Sequence, residues 1–240
     1  IEFKKTKLFS LVFLLKDMSL IKKNIRSITD ELKRNYSQQD GEIRLVAVSK
    51  GQDQDKILEA LDAGHNIFGE NYLQEAIDKQ KSLIDYKIEW HFIGPIQSNK
   101  CKLIAENFQW IQTVDRIKVA NKLNMFNTNE LPLNICIQIN ISNEDSKSGA
   151  KINEIDTLAD HISNLDKLKL RGLMAIPSNT SEDEILINEY KQLKMIYEDL
   201  KLKYSTIDTL SIGMSNDYLL AIENGSNLVR IGSKIFGNRQ

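Results

Sequence analysis

Short apolar runs rich in β-branched residues alternate with amphipathic helical stretches about eight times along this chain. That rhythm constrains the fold more than any single motif. The strand candidates are Ile43–Ser49, Asn66–Gly69, Glu89–Ile93, Trp110–Val114, Leu133–Ile141, Leu168–Ala175, Thr209–Ile212 and Leu228–Ile231. Helical patterns fall between most of them, over Asp53–Ala63, Tyr72–Leu83, Asp115–Asn124, Lys151–Leu165, Glu182–Leu202 and Asn216–Glu223. LVAVS, NICIQINI and LVRIG are nearly continuous apolar runs, as strands buried on both faces require. Strands alternating with helices predict a parallel sheet. Eight such units in 240 residues, with no Pro/Gly/Ser-rich linker between them, fit a single TIM-type (β/α)8 barrel of the α/β class. An open doubly wound sheet is the alternative, but no GxGxxG follows the first strand, so the usual dinucleotide fingerprint is missing.

Ahead of the first strand, Leu20, Ile21, Ile25, Ile28 and Leu32 recur at helical spacing. Residues 1–17 are set apart as an N-terminal extension, and residues 18–240 as the barrel. Lys4 to Leu15 places basic residues before a short apolar run, yet no small-x-small cleavage site follows, and the run is too short to span a bilayer. A cytoplasmic protein is expected. Lys+Arg 32 against Asp+Glu 33 leaves a net charge of −1, which offers no basic face to nucleic acid or to an anionic membrane. Cys101 and Cys136 stand far apart, and with His65, His91 and His161 they form no metal-ligand spacing, so no metal is expected.

In such barrels the chemistry sits where strands end at their C-terminal edge. Lys50 closes the first strand in parity with Val46 and Val48, which aims its amine at the barrel mouth. A lysine just past a strand end is more often merely solvated, so its neighbours decide. Further strand ends carry FGENY (68–72), HFIGPIQSNK (91–100) and QINIS (138–142), and the last two carry LSIGMSND (210–217) and VRIGS (229–233). Gly213 and Gly232 allow backbone N–H groups to approach an anion, and Ser211, Ser215 and Ser233 add hydroxyls. The loops after strands 7 and 8 are a recurrent phosphate site in these barrels. Ser215 also reads as an ordinary helix N-cap. An amine facing a phosphate cradle suits pyridoxal 5′-phosphate, and equally a sugar phosphate held as a Schiff base; spacing does not separate the two. The amine must be partly deprotonated to attack a carbonyl, which burial or the nearby cation Arg230 favours.

Together the segments AVSK (47–50), FGENYLQE (68–75), EWHFIGPIQSNK (89–100), IQINIS (137–142), SKSG (146–149), RGLMAIP (171–177), LSIGMSNDY (210–218) and VRIGSKIFG (229–237) resemble the YggS/PROSC family of pyridoxal phosphate homeostasis proteins. The resemblance spans about residues 21 to 237. It implies a barrel like the N-terminal domain of alanine racemase, with pyridoxal 5′-phosphate held as a Schiff base on Lys50. It implies that Ser211, Gly213, Met214, Ser215, Arg230, Gly232 and Ser233 surround the phosphate, that Asn71 and Met174 line the ring, and that Lys147 lies near the site. The family acts as carriers or regulators of vitamin B6 and amino-acid balance, so no catalytic residue and no robust turnover are expected. Apo forms of pyridoxal-phosphate enzymes are the expected recipients. Racemisation needs a base on each face of the substrate. The two-domain racemases bring the second base from another domain and subunit; this chain runs out just after the eighth strand, and a monomer is expected. Tyr72 and Tyr218, near strand ends, are the residues to check for a weak amino-acid racemase, the runner-up reading. A Schiff-base aldolase is a more distant third.

Overall fold

The structure is a computed structural model that describes residues 19–36, 42–144 and 147–237. The extension expected over residues 1–17 lies outside the described residues. Among the described residues eight strands close a parallel barrel: β1 (Arg44–Val48), β2 (Ile67–Glu70), β3 (Glu89–Phe92), β4 (Trp110–Val114), β5 (Leu133–Ile139), β6 (Leu168–Ala175), β7 (Thr209–Ser211) and β8 (Leu228–Ile231). They pair in chain order, and β1 closes on β8 through Val46↔Arg230 and Ala47↔Ile231. The closed form resolves the choice against an open sheet.

Helices cover the outside: α1 (Leu20–Tyr36), α2 (Gln54–Asp62), α3 (Leu73–Ser82), α4 (Cys101–Asn107), α5 (Ile117–Phe126), α6 (Ile155–Ser163), α7 (Asp183–Lys203), α8 (Tyr218–Glu223) and α9 (Ser233–Phe236). In α1 the residues Ile21, Ile25, Ile28 and Leu32 are buried, as their spacing predicts, whereas Leu20 is exposed at the helix start. The helix packs on α2 and α9, and Asn24 Nδ2 donates to the Ile235 carbonyl at 3.0 Å. α4 and α9 have no counterpart in the sequence reading. They are short, and neither has a capping side chain to announce it; only Cys101, Ile104 and Ala105, buried on one face, betray α4. The helix expected from Asn216 starts at Tyr218. β5 stops before Asn140, whose N–H turns to the Ala150 carbonyl.

Glycines let the backbones close up where side chains would collide. Gly172 holds φ +149°, and a Cβ there would lie 1.8 Å from the Thr209 carbonyl oxygen on β7. A Cβ on Gly94 would lie 2.0 Å from the Asn71 carbonyl oxygen. Inside the barrel Trp110, Cys136 and Met174 form a buried stack. Trp110 is parallel to His91 at 5.1 Å between ring centroids, and the Arg44 and Arg171 guanidinium groups lie over its ring, 4.8 and 4.6 Å from the centroid. His91, Trp110 and the two arginines fill the barrel below Met174, which reaches the cavity above. Among the described residues no helix is long and apolar enough to cross a membrane, and no cluster of His, Cys, Asp or Glu is arranged to hold a metal ion.

Candidate cofactor site at the barrel mouth

The C-terminal ends of the strands surround a cavity of about 730 Å³. Lys50, half-buried, enters it beside Val48, two residues back on the same strand face, as the parity of β1 requires. Asn71 follows β2, and Met174 comes from β6. The β7–α8 loop contributes Met214 and Ser215, and β8 with the start of α9 contributes Arg230, Gly232 and Ser233. Thus eight of the ten residues expected at a cofactor site face one space. Gly232 keeps the wall open: a Cβ on it would press on the Val48 carbonyl oxygen at 3.2 Å.

Ser211 and Gly213 sit behind the wall. Ser211 is fully buried in β7; its hydroxyl donates to Gln112 Oε1 and accepts from Arg230 Nη1, each at 2.7 Å. Gly213 holds φ +93°, where a Cβ would also run into Ala221 and Tyr218, and its carbonyl accepts from the Arg230 N–H. Both residues support Arg230. Ser215 is not the cap of α8; Asp217 precedes that helix, and its Oδ1 accepts from the Met214 N–H at 2.7 Å.

Arg230 is buried, with its guanidinium on the Ser211 and Ala175 carbonyls at 2.7 and 2.9 Å. Among the described residues no carboxylate pairs with it. Burial lowers its pKa to about 10, which still leaves it a cation at neutral pH. Behind it runs a buried polar chain. Ser211 connects to Gln112, the Gln112 amide to His91 Nδ1 at 2.7 Å, and His91 Nε2 to Glu89 Oε1 at 2.7 Å. Glu89 in turn pairs with Arg44. Burial lowers the His91 pKa to about 4, so the ring is neutral, donating to Glu89 and accepting from Gln112. Polar residues inside apolar strands, His91 in EWHF and Gln112 in WIQTV, are the sequence signal for this chain.

Other lining residues escaped the sequence reading. Gln52 follows Lys50, and residues 178–180 lie in the loop after β6, where Ser178 is fixed by its N–H and hydroxyl to the Glu189 carboxylate. The strand-end rule covers both segments, but neither carries a residue type that stands out. Lys147 does reach the cavity; its ammonium donates to the Pro177 carbonyl at 2.9 Å and pairs with Glu144 at 2.7 Å. Tyr72 and Tyr218 do not line the cavity, and the Tyr218 hydroxyl donates to Glu31.

The model of the alanine racemase N-terminal domain matches residues 17–240. The pyridoxal phosphate homeostasis protein of Vibrio alginolyticus is 47% identical over 232 residues, which is 92% of this chain and 99% of that one. The chain belongs to the pyridoxal phosphate homeostasis protein family. The Escherichia coli K12 member is 50% identical over 202 residues, covering 82% of this chain and 86% of its own. Among solved structures, PipY of Synechococcus elongatus with pyridoxal phosphate bound superposes with a TM-score of 0.80 at 30% identity, over 90% of this chain and all of that one. Alanine racemase from Corynebacterium glutamicum shares the fold, at a TM-score of 0.66 and 17% identity over 92% of this chain and 62% of its own.

Proposed function

We propose that this protein holds pyridoxal 5′-phosphate on Lys50 and acts in its homeostasis as a carrier or regulator, without robust turnover. The observation that carries the reading is one cavity into which a primary amine, a buried cation and the Ser215 and Ser233 hydroxyls all converge. When bound, the cofactor supplies an aldehyde that condenses with an amine, and a phosphate that needs donors. The residues present fit it. Lys50 would supply the amine; Ser215, Ser233 and the backbone opened by Gly232 would hold the phosphate; Asn71 and Met174 would flank the ring. Asn71 Oδ1 is buried without a hydrogen-bond partner, as a group awaiting a ligand donor would be.

Holding rather than catalysis is supported by the lining itself. Its titratable side chains are Lys50, Lys147, Asp217 and Arg230. Asp217 is occupied by the Tyr190 hydroxyl and the Met214 N–H, Lys147 by Glu144 and Pro177, and Arg230 stays charged. A two-base racemisation within the described residues would need a second proton carrier from this set. Residues 18–240 act as one unit in this reading, and apo-enzymes dependent on the cofactor are the recipients. The unpaired thiols of Cys101 and Cys136 suit the cytoplasm, where thiols stay reduced.

The test is a spectrum of the protein with added pyridoxal phosphate, followed by borohydride reduction and peptide mapping. A yellow species fixed to the Lys50 peptide, and lost in Lys50→Ala, is expected. The same preparation mixed with L-alanine should show slow or no inversion. No coloured species would end the reading, and sustained inversion dependent on Lys50 would replace the carrier by a racemase.

A further inference from the structure

Beneath the strand end that carries Lys50 lies a second group of charges that the cavity does not use. Glu70 ends β2, and Glu75 and Lys79 lie one turn apart on α3. The Lys79 ammonium donates to Glu70 Oε1 at 2.7 Å, to Glu75 Oε1 at 2.6 Å and to the Ser49 carbonyl at 2.6 Å, which uses all three of its N–H bonds. Glu70 Oε1 also accepts from the Ser49 hydroxyl at 2.6 Å, and Glu75 Oε1 from the Gly51 N–H at 2.6 Å. Gly51 holds φ +69°, so the chain turns sharply at this point. Among the described residues, every side-chain hydrogen bond that this triad makes outside itself therefore falls on Ser49 or Gly51, the two neighbours of Lys50.

The group is costly to bury. The Glu70 side chain is fully buried and that of Lys79 is 8% exposed. Burial raises the Glu70 pKa despite the adjacent ammonium. Apolar side chains of similar volume would commonly give as much stability as a buried ion pair, so such pairs are better understood by what they hold in place. Here that is three atoms of the backbone and side chain on either side of one lysine. We propose that Lys79, with Glu70 and Glu75, is a positioning residue for Lys50: the triad grips the chain on both flanks and fixes where the amine enters the cavity. The inference rests on the assignment of Lys50 as the cofactor lysine.

Glu75 gives the cleanest test, because its side chain is 29% exposed and its loss spares the core. Glu75→Gln removes the charge but keeps an acceptor for the Gly51 N–H; Glu75→Ala removes both. Two measurements are made on each variant and on Lys79→Met. One is the rate at which pyridoxal phosphate leaves the holo-protein for excess apo-enzyme. The other, on apo-protein, is the acylation rate of Lys50 relative to Lys147 by an amine-reactive ester, read by peptide mapping. Glu75→Ala and Lys79→Met should release cofactor about tenfold faster and raise the Lys50:Lys147 labelling ratio at least threefold; Glu75→Gln should stay near wild type. Should Lys79→Met fail to fold, the Glu75 pair decides. An unchanged labelling ratio in Glu75→Ala, with a fall in Tm alone, would overturn the proposal, as would an equal rise in Glu75→Gln. If wild type takes up no cofactor yet the ratio shifts as expected, the gripping stands and the cofactor assignment fails.

Discussion

At the level of single residues the site depends on groups that face a space from different directions. Ser215 and Ser233 offer hydroxyls from loops that follow different strands, so neither can replace the geometry of the other. Hydrogen bonds to a charged phosphate are worth about 1.5–3 kcal/mol each. Ser215→Ala or Ser233→Ala should therefore weaken cofactor retention about tenfold, and the double variant about a hundredfold, measured by equilibrium dialysis. Retention unchanged in the double variant would move the phosphate elsewhere in the cavity. That Lys50, Ser215, Arg230 and Ser233 line one cavity was legible from the chain because strand ends of a barrel face one mouth. Ser211 and Gly213 were not separable from them: the same strand end carries wall and backing, and only the side-chain direction tells which is which. Lys79 carried no signal at all, since a lysine within an amphipathic helix looks solvated until the fold brings it to Ser49, 30 residues away.

Among the elements, β6 and β7 show how tightly the barrel is closed. Gly172 lies opposite Thr209 in register, in a backbone conformation that only glycine adopts freely, and its missing Cβ is what lets the strands pair. Gly172→Ala should cost about 3 kcal/mol or more, combining backbone strain with overpacking. Urea denaturation would show it as a lower midpoint; a midpoint within the error of wild type would mean the strands can separate without loss. The strands themselves were readable because burial on both faces leaves an apolar run that tolerates few polar residues. The short helices α4 and α9 were not, because seven and four residues hold too few turns to set up a period. Their formation depends on tertiary packing, as that of Cys101, Ile104 and Ile235 in the core indicates.

For the molecule as a whole, the buried chain from Arg44 to Arg230 makes stability depend on pH. The His91 ring stays neutral in the fold, with its pKa lowered from 6.5 to about 4, while in the unfolded chain it takes up a proton below about 6.5. The unfolded state thus binds more protons between these values, and folding stability is full above pH 6.5 and lost as pH falls towards 4. At about 1.4 kcal/mol per pKa unit, the loss is about 3 kcal/mol. His65, also lowered by burial, adds to the same limb, and Glu89, whose pKa is lowered by His91 and Arg44 against the effect of burial, adds its share at the acid end. In His91→Gln the slope of unfolding free energy between pH 4.5 and 6.5 should fall by close to one proton; an unaltered slope would mean that His91 does not carry it.

The packed base of the barrel has a consequence for traffic. With Trp110 stacked on His91 and the Arg44 and Arg171 guanidinium groups over its ring, the described side chains fill the barrel beneath the cavity. A molecule held in the cavity at the strand ends would enter and leave by that mouth. Loading and unloading would then compete for the same threshold. Surplus ligand outside would then delay net emptying.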